Sequence, residues 1–329
     1  MAAKRKRRSP RSRLLIAGLV AAAFVLVLLW RGWYGAGPLE KPAAVVIPQG
    51  ASLGTAARAL ETAGAVRDAE SFRRFAGLLG SDDPIRTGEY AIPAHASPAA
   101  ILDILQHGRA LQRFVTVPEG TPSIVVHRKL MAEPLLAGTV AVPAEGSVLP
   151  DSYSFQRGDT RASVLGRMQA AMAKTLDAAW KARKPTAAVR SKRDALILAS
   201  IVEKETGVPS ERRMVAAVYS NRLRAGMPLQ ADPTVIYPVT RGLPLGRRIL
   251  RSELLADNGY NTYARRGLPA GPIANPGKAS IQAVLDPAPS GALYFVANGK
   301  GGHVFAATLA EHNANVAKWY AIRRTRGEM

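Results

Sequence analysis

The chain of 329 residues contains no cysteine. That excludes disulfides, thiolate-ligated zinc and thiol catalysis. Histidine is scarce, and His95, His107, His127, His303 and His312 form no HExxH or other short metal-ligand pair, which argues against a zinc hydrolase. A GxSxG elbow and a P-loop are both missing; Gly299-Lys300-Gly301-Gly302-His303 reads better as a hairpin turn than as a phosphate loop. Acidic residues are outnumbered, 24 against 45 Lys and Arg, for a net charge of +21. An excess of that size suits nucleic acid, an anionic membrane face or an anionic polymer. Aromatics make up only 6% and are not interleaved with the basic residues, so a single-strand-binding groove is not expected. What remains is 47% hydrophobic and able to pack a core.

Residues 1–13 carry seven of the basic residues and no acid, and they run into an uncharged, proline-free stretch from Leu14 to Trp30. Its length suits a spanning helix better than a cleaved leader, and large residues sit where a leader would be cut. Trp30, Trp33 and Tyr34 follow as an aromatic belt would, with Arg31 able to snorkel. The expected arrangement is a basic cytoplasmic tail (1–13), a single transmembrane helix (14–34) and the remainder across the membrane, away from nucleic acid. A Gly- and Pro-containing linker fills 35–43.

Beyond the linker, three units repeat a short strand, a Pro turn, a Ser or Thr cap and an amphipathic helix. They begin at Val46, Ala91 and Thr116 and reach Leu60, Leu105 and Leu130. In the second, Ser97 caps, Pro98 takes the first helical position and Gly108 closes. The first two make a small βα module over 44–110; the third opens a mixed α/β domain over 111–325. The whole is an α+β chain. Within the larger domain the patterns predict helices at 161–183, 191–206, 210–225 and 308–323, and a hairpin joining 293–297 to 303–306. The helix at 191–206 is well punctuated, by Ser191 with Asp194 at its start and by Gly207 and Pro209 beyond its end.

That helix ends in Ser200-Ile201-Val202-Glu203-Lys204-Glu205-Thr206. A carboxyl group on a half-buried helix end is a candidate general acid, because burial disfavours its charged form. Two residues apart on a helix is about 200° of rotation, so the two glutamates face different surroundings. Glu205 shares its face with the core stripe Leu198, Ile201 and Val202. Glu203 lies with Leu196, Ala199, Ser200 and Thr206, a small and partly polar face that suits a substrate groove. Glu203 is therefore the first catalytic candidate, and Glu205, not securely separated from it, the second. Downstream, Gln230, Asp232 and Thr234 alternate with apolar residues. Tyr260-Asn261-Thr262-Tyr263 and the turn-rich stretch from Gly267 to Gly277 read as binding loops.

Taken together, these segments resemble the MltG (YceG-like) family of endolytic murein transglycosylases. The likeness rests on Ala199 to Thr206, Asn221-Arg222-Leu223, Leu229 to Tyr237, Tyr260 to Tyr263, Gly267-Leu268-Pro269, Pro272 to Gly277, Tyr294 to Ala297 and Gly301-Gly302-His303. It implies a single-pass inner-membrane protein with a LysM-like module and an extracytoplasmic catalytic domain. It also implies cleavage of the MurNAc-β-1,4-GlcNAc bond inside peptidoglycan strands, leaving 1,6-anhydroMurNAc ends, with peptidoglycan synthases as candidate partners. The family's catalytic Glu maps onto Glu203, which would act alone, with no metal or organic cofactor. Gln230, Asp232, Thr234, Asn261, Tyr263 and Asn275 would position the sugars. One departure is visible: the family's aromatic-rich Glu-Gly-Tyr-Leu-Phe-Pro-Asp-Thr-Tyr is here Glu145-Gly146-Ser147-Val148-Leu149-Pro150-Asp151-Ser152-Tyr153, with two aromatics lost. A muramidase-like hydrolase using Asp232 as second carboxylate, or a non-catalytic wall-binding scaffold, are the competing expectations.

Overall fold

A computed structural model describes residues 10–48 and 50–328, with side chains from Ile16 onward. Most of the basic tail, residues 1–9, lies outside the described residues. The chain is mixed α/β and divides into two compact units, the first ending at Arg113 and the second beginning at Phe114.

In the first unit, helix α1 (Pro10–Tyr34) contains one span, Ile16–Tyr34, long and apolar enough to cross a membrane. Strand β1 (Ala43–Ile47) follows, then α2 (Leu53–Thr62), α3 (Ala69–Leu79), β2 (Gly88–Ile92) and α4 (Pro98–His107). The two strands pair antiparallel, Ala43 opposite Ile92 and Ile47 opposite Gly88. Side-chain caps start all three short helices: Ser52 accepts from Thr55 N, Asp68 from Ser71 N and Ser97 from Ala100 N. The expected Ser97-Pro98 start and Gly108 stop of α4 are present. Val45, Ile47, Leu60, Phe72, Tyr90, Ile92, Ile101 and Leu105 form the core.

Trp33 belongs to that core as well. It is 2% exposed and lies 6.2 Å from the Phe72 ring and 6.3 Å from that of Phe75. The expected aromatic belt therefore loses this member. Gly32 lets Phe75 close in, since a Cβ there would lie 3.1 Å from the ring. The connection that follows is also held: Gly37 N donates to His95 O, and His95 N donates to Leu39 O.

The second unit opens with β3 (Arg113–Thr116), α5 (Ser123–Ala132) and β4 (Ser152–Phe155), which pairs with β3. Next come α6 (Arg161–Lys181), α7 (Lys192–Glu205) and, after a 3₁₀ turn, α8 (Arg212–Arg224). Helices α9 (Asp232–Thr240), α10 (Arg251–Leu255) and α11 (Lys278–Leu285) precede the hairpin β5 (Tyr294–Ala297) and β6 (His303–Ala306), and α12 (Leu309–Thr325) ends the chain. Seven residues of α7 are buried, from Ala195 to Val202 with Leu196 half-exposed. A helix apolar on nearly every side is a central element, and α6, α8 and α11 pack around it.

Beyond Gln230 the chain is helical: Asp232 and Pro233 open α9, with Pro at its first turn. One local expectation is corrected. At α5, Thr121 does not cap; its hydroxyl donates to Pro118 O. The cap comes from across the unit, where Glu145 Oε1 accepts from Ser123 N at 2.9 Å. Burial pushes the Glu145 carboxyl upward, against the hydrogen bonds from Ser123 and Tyr237.

Candidate active site

Helix α7 ends where Thr206 turns extended, and Val208 N bonds back to the Thr206 hydroxyl. The two glutamates at this end meet different partners. Glu203, its side chain only 5% exposed, accepts from Gly277 N through Oε2 at 2.9 Å. Its Oε1 lies 3.8 Å from Arg212, whose guanidinium also donates to Glu119 at 3.2 Å. A Cβ at 277 would sit 1.9 Å from Glu119 Oε1, so any larger residue there makes the Glu119 side chain swing aside. The small polar face expected to line a groove is instead covered by the 272–277 segment. Ser200, fully buried, accepts from Ile273 N and donates to Ile197 O. A face of small residues suits close approach by backbone as well as it suits a ligand, and here backbone occupies it.

Glu205 is partly buried, and its Oε1 is buried with no hydrogen-bond partner. Burial raises its pKa to about 7; a hydrogen bond from Tyr219 opposes the shift, the charge of Asp232 adds to it and Arg222 opposes it. Tyr219 is buried on α8, and burial together with Glu205 pushes its own hydroxyl well up. Arg222, on the same helix, is 9% exposed; Nε donates to Leu293 O and Nη1 to Leu229 O, both at 2.7 Å. Its guanidinium lies 5.4 Å from the Tyr294 ring centre. Tyr263 closes the group by donating to Asp232 Oδ1 at 2.6 Å.

Of the polar residues predicted to hold sugar, Gln230, Asp232 and Tyr263 are exposed at this end of α7. Gln230 adopts φ +52°, a conformation unusual for a side-chain-bearing residue and common at functional sites. The other three are internal. Thr234 is fully buried, donating to Ala231 O and sharing a 2.9 Å hydroxyl contact with Thr262. Asn261 spends its amide on Glu253 O, Leu254 O and Ala256 O. Asn275 bonds Val148 N, Thr121 O and the Ser123 hydroxyl. All three satisfy loop backbone that would otherwise be buried without partners. Tyr219 was missed by the sequence reading; its one signal is a phenol inside the apolar run Val215-Ala216-Ala217-Val218. His303 serves the frame too, its backbone and ring nitrogens both bonded to Glu211 at 2.8 Å.

Burial that raises the Glu205 carboxyl, set beside the exposed Asp232–Tyr263 pair, is an arrangement of the kind a general acid needs. Comparison places the chain in a family. The YceG-like family profile matches residues 45–318, and the chain belongs to that family. It is 35% identical to the endolytic murein transglycosylase of Bacillus subtilis (strain 168), over 55% of this chain and 49% of that protein. It is 28% identical to the endolytic murein transglycosylase of Streptococcus pneumoniae, over 85% of this chain and 58% of that protein. The chain thus spans about half the length of the curated relatives it matches. The 2.6 Å crystal structure of a YceG-like protein from Listeria monocytogenes aligns with a TM-score of 0.50 and 28% identity, over 84% of this chain and 99% of that one.

Proposed function

We propose that the chain is an endolytic lytic transglycosylase that cleaves the MurNAc-β-1,4-GlcNAc bond within peptidoglycan strands. Of the two candidate glutamates, Glu205 is the better general acid, and the observation that carries this is its environment: desolvated, beside Asp232, with one oxygen lacking a partner. Buried polar atoms without partners are rare and often mark catalytic groups. Protonated Glu205 gives its proton to the glycosidic oxygen as the C1–O bond breaks. The resulting carboxylate then takes the proton of the MurNAc 6-hydroxyl while that oxygen bonds C1, which forms the 1,6-anhydro ring and restores the acid. One carboxyl suffices, and no metal or organic cofactor is needed. The Asp232 carboxylate stabilises positive charge developing at C1, and Tyr263 and Gln230 position the sugars. Glu203 is a positioning residue, holding the 272–277 segment through Gly277 and Arg212.

The 44–110 module acts as a LysM-like glycan-binding unit, α1 anchors the chain in the inner membrane, and the rest works outside the cytoplasm near peptidoglycan synthases. The net charge of +21, which suits an anionic polymer as partner, supports this. Mass spectrometry of products from purified peptidoglycan tests the reading. Ends lighter by one water than hydrolysis products are expected, and they should vanish in Glu205→Gln. Hydrated ends would favour a hydrolase that uses Asp232 as second carboxylate.

A further inference from the structure

A cavity of about 900 Å³ lies in the second unit among α6, α8 and α11. Five cations line it, Lys174, Lys184, Arg212, Arg213 and Lys278, against one carboxylate, Asp286. Arg213 is already paired with that carboxylate at 3.0 Å. Among the described residues, Lys174, Lys184 and Lys278 have no ion-pair partner, although Lys192 nearby on α7 pairs with Asp177. Arg212 is only 14% exposed, and its Nε is buried without a hydrogen-bond partner. Arg212 is tied to Glu119 and Glu203 and Arg213 to Asp286, but like charges gathered around one concavity repel each other, and the three lysines have no carboxylate partner among the described residues to offset this. An anion is the natural complement.

Its size and lining narrow the class. The volume is that of a pocket for a molecule of several hundred daltons, far larger than one phosphate needs. Between the cations the wall is methyl-rich, with Ala171, Ala178, Ala179 and Ala279. Separated charges over a surface of small apolar groups suit a short peptide bearing several carboxylates and small side chains. We propose that this cleft binds the carboxylate-bearing peptide arms of the glycan strand; the assignment rests on the proposed function. The cleft also touches the site's frame, because Arg212 reaches Glu203 and Lys278 follows Gly277, whose N–H Glu203 holds. Strands carrying peptides would therefore be engaged in preference to strands stripped of them.

The test compares the full chain in detergent with its Lys174→Ala/Lys184→Ala/Lys278→Ala variant. All three lysines are exposed, so the variant should fold, and its melting temperature checks this. On peptide-bearing strands KM should rise about tenfold with kcat little changed, and on amidase-stripped strands neither should move. Equal effects on both substrates, or none on either, would overturn the proposal. Calorimetry with the free peptide released by amidase, titrated into Glu205→Gln protein, gives a readout independent of cleavage. Binding that is lost in the lysine variant and weakened by salt supports the cleft even if no glycan is cut. Glycan cleavage without any peptide binding would sink the cleft while leaving the proposed function standing. Inorganic phosphate binding more tightly than the peptide would also overturn it.

Discussion

Glu203 and Glu205 stand two residues apart at the same helix end, and their surroundings are opposite in kind. Glu203 is wrapped in donors: a backbone N–H and a guanidinium. Glu205 is wrapped in apolar packing, a phenol and the field of another carboxylate. Both carboxyls are largely out of water, so burial alone does not make an acid. What differs is the partners: both Glu203 oxygens face donors that tie down the 272–277 segment, whereas at Glu205 burial and the Asp232 charge outweigh the opposing Tyr219 and Arg222 and one oxygen has no partner.

Removing the acid should break this contrast most severely. Glu205→Gln is expected to lower product formation by about 10²–10⁴, the usual contribution of a general acid, as read by product mass spectrometry. Glu203→Gln should keep measurable turnover at a temperature where it is folded. Comparable loss in both variants, with both folded, would erase the distinction. The pH profile gives the next effect: as the proposed acid, Glu205 acts in its protonated form, so log kcat/KM should fall with unit slope as pH rises through about 7.

Stability should move the other way. A carboxyl whose pKa is raised in the folded state binds its proton more tightly there than when unfolded, so folding loses stability as pH rises from about 4.5 to about 7 and stays low above. Glu205→Gln removes that cost. Thermal unfolding at pH 8 should show it more stable than the parent by roughly 1–3 kcal/mol, with no gain at pH 4. Glu203→Gln should instead be destabilised by about 1–3 kcal/mol, through the clamp it weakens. Gly277→Ala should lose less, about 1 kcal/mol, because the exposed end of Glu119 can swing aside. The smallest change is expected for Tyr263→Phe. It breaks one exposed hydrogen bond to Asp232, shifting stability by under about 1 kcal/mol and KM by a few-fold.

Much of this frame was legible in the sequence because its signals are local. Ser191 caps α7 through Asp194 N, Asn298 closes the β5–β6 turn, and α6 follows its apolar period. Polar side chains were the difficulty. Thr234, Asn261 and Asn275 have the chemistry of sugar ligands, and each is spent on neighbouring backbone, which composition and spacing do not reveal. The face of Glu203 reads in the sequence as small and polar, open to a ligand. The segment that covers that face lies about 70 residues downstream, at 272–277, and only the fold brings it there.

Trp33 carries a consequence for orientation. A residue that is both the last turn of an apolar helix and a member of the adjoining core leaves no swivel between the two. The azimuth of the 44–110 module about the α1 axis is then set by helical phase. One residue inserted between Trp30 and Trp33 would turn the module by about 100° around that axis, setting a different side of it in line with a given face of the apolar span without altering a single contact inside it.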